Sequence, residues 1–118
     1  MKRFTIDEVN APADTSPIFI GSVQRQELVT SDDAASQRVT MVAFRDGARN
    51  RWHRHTTEQV LVVTAGHGVV ATDDRELEVA TGDVILIEPS ERHWHGARPG
   101  QGMTHLSILL PGEMTIDE

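Results

Sequence analysis

The feature that most constrains this chain is how often it is interrupted. Short β-rich segments recur at close intervals, over residues 18–21, 27–30, 38–44, 59–64, 69–72, 77–79, 84–87, 93–98 and 104–110. Between them stand Asp46-Gly47, Ala65-Gly66-His67-Gly68, Asp73-Asp74, Thr81-Gly82, Pro89-Ser90 and Pro99-Gly100. These are turn residues, because they accept left-handed backbone, fix φ, or bond their own main chain. No window sustains a helical period; a helix over residues 32–37 would make one or two turns at most. Many short strands at this spacing predict a sandwich or barrel. The irregular stretch before it, with Pro12 and Pro17, reads as an N-terminal arm over residues 1–17. One all-β domain then spans 18–112, and a short tail spans 113–118.

A chain of 118 residues makes one domain and buries roughly two-thirds of its unfolded surface, so no covalent staple is needed. None is available, because cysteine is absent. Disulfides, thiolate zinc sites, iron–sulfur clusters and cysteine nucleophiles are excluded together. Tyrosine is absent as well, which removes phenolic acid–base chemistry. Eleven Lys/Arg against eighteen Asp/Glu give a net charge of −7, the wrong sign for a phosphate-binding surface, so no nucleic-acid partner is expected. The longest aliphatic runs, at 60–63 and 84–87, fall far short of the roughly 20 residues a membrane span takes. Met1-Lys2-Arg3 is followed by Thr5-Ile6-Asp7-Glu8, where a signal peptide would place its apolar stretch. A cytoplasmic location is therefore the expectation.

Histidines stand at 53, 55, 67, 93, 95 and 105. Residues two apart on a strand share a face, so His53 and His55 project together, and so do His93 and His95 on another strand. Counting on in twos from His55 reaches Gln59, while Glu58 falls on the opposite face. A metal needs donors about 2.0–2.2 Å from a common centre, supplied by same-face positions on neighbouring strands. Two His-x-His pairs meet that requirement; the alternative is a solvated strand face on which each histidine bonds independently. His67, between two glycines, reads as an exposed turn residue.

These spacings resemble the cupin superfamily, small jelly-roll (double-stranded β-helix) barrels that hold one metal. Gly47, five residues, His53, one residue, His55, three residues, Gln59, six residues and Gly66 reproduce the first cupin motif, with Gln59 in place of its usual glutamate. Gly82 through His93 follows the second motif, with Glu88, Ser90 and Ala97 replacing its proline, glycine and asparagine. Within the superfamily, Trp52-His53-Arg54-His55, residues 59–66, His93-Trp94-His95-Gly96-Ala97 and Met103-Thr104-His105-Leu106 resemble small bacterial cupins that include the manganese-dependent hydroxynitrile lyases. That resemblance implies metal ligands at His53, His55, Gln59 and His93. It also implies a proton-moving histidine at His105, and pocket walls at Thr40 and Val42. Leu109 stands where those relatives carry a polar residue, which predicts a drier or differently shaped pocket.

The implied cofactor is one divalent ion, with manganese favoured and iron, nickel or zinc compatible with the same donors. Three imidazoles and an amide would leave its charge uncompensated, which favours an anionic ligand such as cyanide or an alkoxide. His105 is then the candidate general base; its other reading is a core histidine bonded to a neighbour. His95 is either a supporting partner of His93 or a second proton carrier. Arg49, Arg51 and Arg54 flank the first histidine pair, as substrate-carboxylate partners or as solvated loop residues. Trp52 and Trp94 read as packing anchors or a subunit contact. Strands apolar on both faces, as at residues 60–63, point to a homo-oligomer, a dimer or tetramer. The leading expectation is an enzyme acting on a small molecule, a lyase cleaving a cyanohydrin to a carbonyl compound and hydrogen cyanide. An oxygen-activating cupin and a non-catalytic binding cupin are the alternatives.

Overall fold

A computed structural model describes residues 1–118. Its eleven strands are β1 (Phe19–Ile20), β2 (Val23–Val29), β3 (Arg38–Phe44), β4 (Arg49–Asn50), β5 (His53–His55), β6 (Gln59–Thr72), β7 (Glu76–Ala80), β8 (Val84–Ile87), β9 (His93–Ala97), β10 (Met103–Leu109) and β11 (Met114–Ile116). The structure contains no helix. Over residues 32–37 the chain turns instead, with the Asp33 and Ala34 amides both donating to the Thr30 carbonyl and the Asp33 carboxylate accepting from the Thr30 amide. No helix is long and apolar enough to cross a membrane.

Two antiparallel walls face each other. One runs β2–β3–β10–β6–β8, and the other places β6 between β7 and β9, with β4 and β5 on the far edge of β9. Strand β6 belongs to both. Its first half pairs β8 and β10 through Gln59–Val63, and its second half pairs β7 and β9 through His67–Thr72. The turn read at Ala65-Gly66-His67-Gly68 is thus a bend inside one 14-residue strand. Gly66 makes the bend possible: its φ is +79°, and a side chain there would run into the Gly102 carbonyl. His67 lies in this strand, not in a turn, and is exposed. At Gly96 an added Cβ would strike Arg49 and the Ala48 carbonyl, so the glycine lets β4 cross close over β9.

Inward side chains of both walls fill the space between them. Val23, Val42, Phe44, Leu61, Val63, Val70, Val79, Ile87 and Met103 form one apolar cluster, and burying each such side chain contributes roughly 1.5–3 kcal/mol. A smaller cluster of Ala11, Leu28, Met41 and Ala43 lies on the outer side of β2 and β3. The N-terminal segment covers it, held by Asp14 N–Val23 O and Arg25 N–Pro12 O bonds of 2.9 and 3.0 Å. The apolar cluster fills one end of the barrel and leaves the histidines at the other.

Candidate metal centre

β5 and β9 lie side by side with His53 paired to His93, so both rings project from the same face into the barrel. Three positions along β9, His93, His95 and Ala97, are buried in succession on that face. β5 is only three residues long and is held from its other edge by β11, with Met114 opposite His55 and Ile116 opposite His53. Gln59 arrives from the other wall. A turn over residues 56–58 separates it from β5, so the simple count in twos does not run along one strand; the convergence arises because β6 opens on an inward position. Gln59 is 4% exposed, whereas Glu58 faces solvent.

The structure brings the donor atoms of His53, His55 and His93 within 4.8 Å of one another. His53 Nδ1 and His93 Nδ1 each donate to a backbone carbonyl, Arg51 O and Glu91 O, both at 2.7 Å. A carbonyl only accepts, so the proton must sit on Nδ1 and the lone pair on Nε2. Burial, together with the neighbouring His93 ring, pushes the pKa of His53 down to about 3 and that of His55 to about 4. Burial lowers His93 as well. All three rings are therefore neutral at pH 7, as metal ligands must be.

Three buried atoms lack any hydrogen-bond partner: His93 Nε2 and Gln59 Oε1 at the histidine cluster, and His105 Nδ1 on β10. The other end of the Gln59 amide is occupied, since Nε2 donates to Ser107 Oγ at 2.8 Å. Leaving a buried acceptor unpaired costs about 1–3 kcal/mol, and a cation among these atoms would remove that cost. Three imidazole nitrogens and one amide oxygen fit a divalent transition ion. When bound, such an ion supplies Lewis acidity toward an oxygen or cyanide held beside it.

A cavity of about 160 Å³ opens onto His53, His55 and Gln59, with Thr40, Val42, Leu109, His95 and His105 among its walls. Each sequence-predicted site residue except His93 lines it; His93 lies behind His53 with no exposure and ring centroids 4.2 Å apart. His105 Nε2 stands 3.1 Å from His95 Nδ1, and both rings rest against Phe44. Burial pushes His105 down to about 4 and, aided by the His105 and His93 rings, holds His95 well below the usual histidine range. Both rings are therefore neutral at pH 7, each keeping one N–H and one lone pair, and the bond between them uses one of each.

Sequence reasoning did not single out three residues here. Asn50 is buried, accepts the His95 amide on Oδ1 at 2.8 Å and places Nδ2 at 3.2–3.3 Å from the His95 ring nitrogens. Ser107 orients Gln59. Arg25 sits on the cavity wall. The three arginines near β5 are neither free in solvent nor turned to the cavity. Arg51 and Arg49 pair with Glu118 at 3.3 and 3.9 Å, and Arg54 with Asp117 at 2.6 Å, tying the C-terminal segment to β5. Trp52 and Trp94 pack edge to face with centroids 6.5 Å apart. Arg92 lies over Trp52 and Arg49 over Trp94.

A jelly roll of this size, with a neutral histidine cluster between its walls that could hold a metal ion, defines a class of small all-β barrels. Residues 40–114 match the Cupin domain family, and the chain belongs to that family. It is 42% identical over 91 residues to an (R)-mandelonitrile lyase of Granulicella tundricola, a match covering 76% of this chain and 70% of that protein. A solved cupin-like protein from Thermotoga maritima superposes with a TM-score of 0.83 at 32% identity, covering 94% of this chain and 90% of the other. The polyketide cyclase RemF of Streptomyces resistomycificus gives 0.81 at 22% identity over 100% and 87%, which speaks to the fold alone.

Proposed function

We propose that this cupin is a metal-dependent lyase that cleaves a cyanohydrin to a carbonyl compound and hydrogen cyanide. The observation that carries the reading is a donor set without a carboxylate, on the same small cavity as a neutral, hydrogen-bonded histidine pair. Likeness to a protein named (R)-mandelonitrile lyase supports it. His53, His55, Gln59 and His93 would hold the ion, and manganese is the metal we propose. A divalent ion there supplies a positive centre for the hydroxyl oxygen or the departing cyanide.

The chain's own residues do the rest. His105 takes the hydroxyl proton as the carbon–carbon bond breaks, and His95, one hydrogen bond away, shares it. The proton then passes to the departing cyanide, giving hydrogen cyanide and returning the rings to neutrality. Proton transfer by a positioned side chain of this kind contributes typically 10²–10⁴-fold. Asn50 fixes His95 from behind through the Oδ1 bond. Thr40, Val42 and Leu109 shape the space left for the organic part of the substrate. Manganese-loaded protein incubated with mandelonitrile should release benzaldehyde above the uncatalysed rate. Metal-replete protein that releases none would remove the lyase reading.

The chain also acts as a homo-oligomer in this reading. Val84 and Leu86 are 66% and 58% exposed, and their register partners Val62 and Val60 continue the same outer face to Leu106 and Ile108 on β10. A charge-free apolar stripe of this kind is covered in stable proteins, and a second copy presents the same stripe about a two-fold axis. Light scattering should give twice the subunit mass or more for wild type and a smaller assembly for Leu86→Glu. One subunit mass for wild type would end the idea.

A further inference from the structure

The inner face of the β2–β3–β10–β6 wall carries rows of directly opposed residues, and one row is Arg25, Val42, His105 and Val63. Residues opposed in an antiparallel sheet project to the same side. The row therefore aims an arginine into a barrel whose neighbouring positions in that row are aliphatic or the proposed base. An inward guanidinium presents there a planar fork of donors suited to an oxyanion. Arg25 lines the 160 Å³ cavity beside His53, His55 and Gln59. It also lines the wider outer cavity of about 660 Å³ that continues from it past Thr40, His55, Leu109 and Met114. It thus stands where a substrate would pass from one space to the other.

Its partners are incomplete. Nη1 meets Glu27 at 3.3 Å and Asp14 only at 4.0 Å, and the Arg25 side chain has no other hydrogen-bond acceptor within the protein. The Glu27 carboxylate is 61% exposed, and so exposed a pair holds its partner weakly. A second cation, Arg38, faces the outer cavity, whose lining also includes Glu27, Asp32 and Glu113; Arg38 is bonded only to the Ala34 and Gln37 carbonyls.

From this geometry we infer that Arg25 is a specificity-determining residue and that the natural substrate carries an anionic group, a carboxylate, on the part remote from the metal. The inference rests on the proposed use of this cavity for a small organic molecule, but not on which bond is cleaved. A carboxylate arriving from the outer cavity displaces Glu27 and takes both forks of the guanidinium, while the reacting end reaches His105 and the metal ligands.

The test is binding to the metal-loaded protein, measured by calorimetry, for ω-hydroxy acids of three to six carbons and for their neutral amides. At one chain length or more the acid should bind at least about ten-fold more tightly than its amide. Arg25→Gln should bring that ratio to about one with metal content and melting temperature unchanged, and Arg25→Lys should retain part of it. Acids and amides binding alike in wild type at every length would overturn the inference without any variant. So would a preference that persists in Arg25→Gln. A parallel assay of mandelonitrile cleavage separates the two ideas: an inert protein that still prefers acids through Arg25 loses the lyase reading and keeps this one.

Discussion

The amide of Gln59 has two ends, and the barrel uses them differently: Nε2 is spent on Ser107, and Oε1 is left bare beside the histidines. In the proposed metal centre Ser107 would therefore decide which end of the amide faces the ion. Ser107→Ala leaves the amide free to rotate, and the expected outcome is a metal affinity lower by about ten-fold, read by competition with a chelator, with the fold intact. An unchanged affinity would show that Gln59 is not a ligand. His105 calls for a different readout. Its replacement by Ala should lower kcat for mandelonitrile cleavage by at least about 10²-fold while metal content stays at wild-type level. Loss of metal along with activity would instead place His105 among the structural supports. The Ser107 and Asn50 roles were illegible in the sequence because their partners are 48 and 45 positions away, and nothing local marks such a pairing.

At the scale of elements, the segments with clean alternation and flanking turn residues were legible, and β3, β8 and β10 lie at or within a residue of their expected bounds. Strand β6 was not read as continuous, because Gly66-His67-Gly68 has the composition of a turn and only the second wall reveals it as a bend. Strand β5 carries no apolar alternation and β11 only the three residues Met114-Thr115-Ile116, too few to mark a strand; each is held by pairing with the other and, for β5, with β9. The bend gives a stability prediction. Gly66→Ala forces a side chain into left-handed backbone against the Gly102 carbonyl, a strain of about 1–3 kcal/mol. Urea unfolding should show the midpoint falling by that energy divided by the slope, with the slope unchanged. No shift would mean that β6 does not pass between the walls at this residue.

Taken as a whole, the molecule stores several neutral histidines in one interior. In the unfolded chain each accepts a proton near pH 6.5, but in the folded barrel burial lowers His53 to about 3, and His55 and His105 to about 4. Between those values the unfolded state binds more protons, so the stability these groups confer is complete above about pH 6.5 and is lost as pH falls toward 4. For His105 alone, the interval from 6.5 to about 4 corresponds to about 3 kcal/mol. The melting temperature of metal-free protein should be level from pH 7 to 8 and drop steeply below 6.5. A flat profile down to pH 4 would mean that the rings are solvated. Added metal should raise the melting temperature through ligand linkage, and Arg25→Gln should respond to it as wild type does.

Elemental analysis of protein purified without a histidine tag decides whether His53, His55, Gln59 and His93 hold one ion between the two walls. Close to one transition-metal ion per chain in wild type, and almost none in His53→Ala prepared alongside, is the expected result. Wild type without metal after exposure to manganese, or a His53→Ala protein that retains a full equivalent, would contradict it.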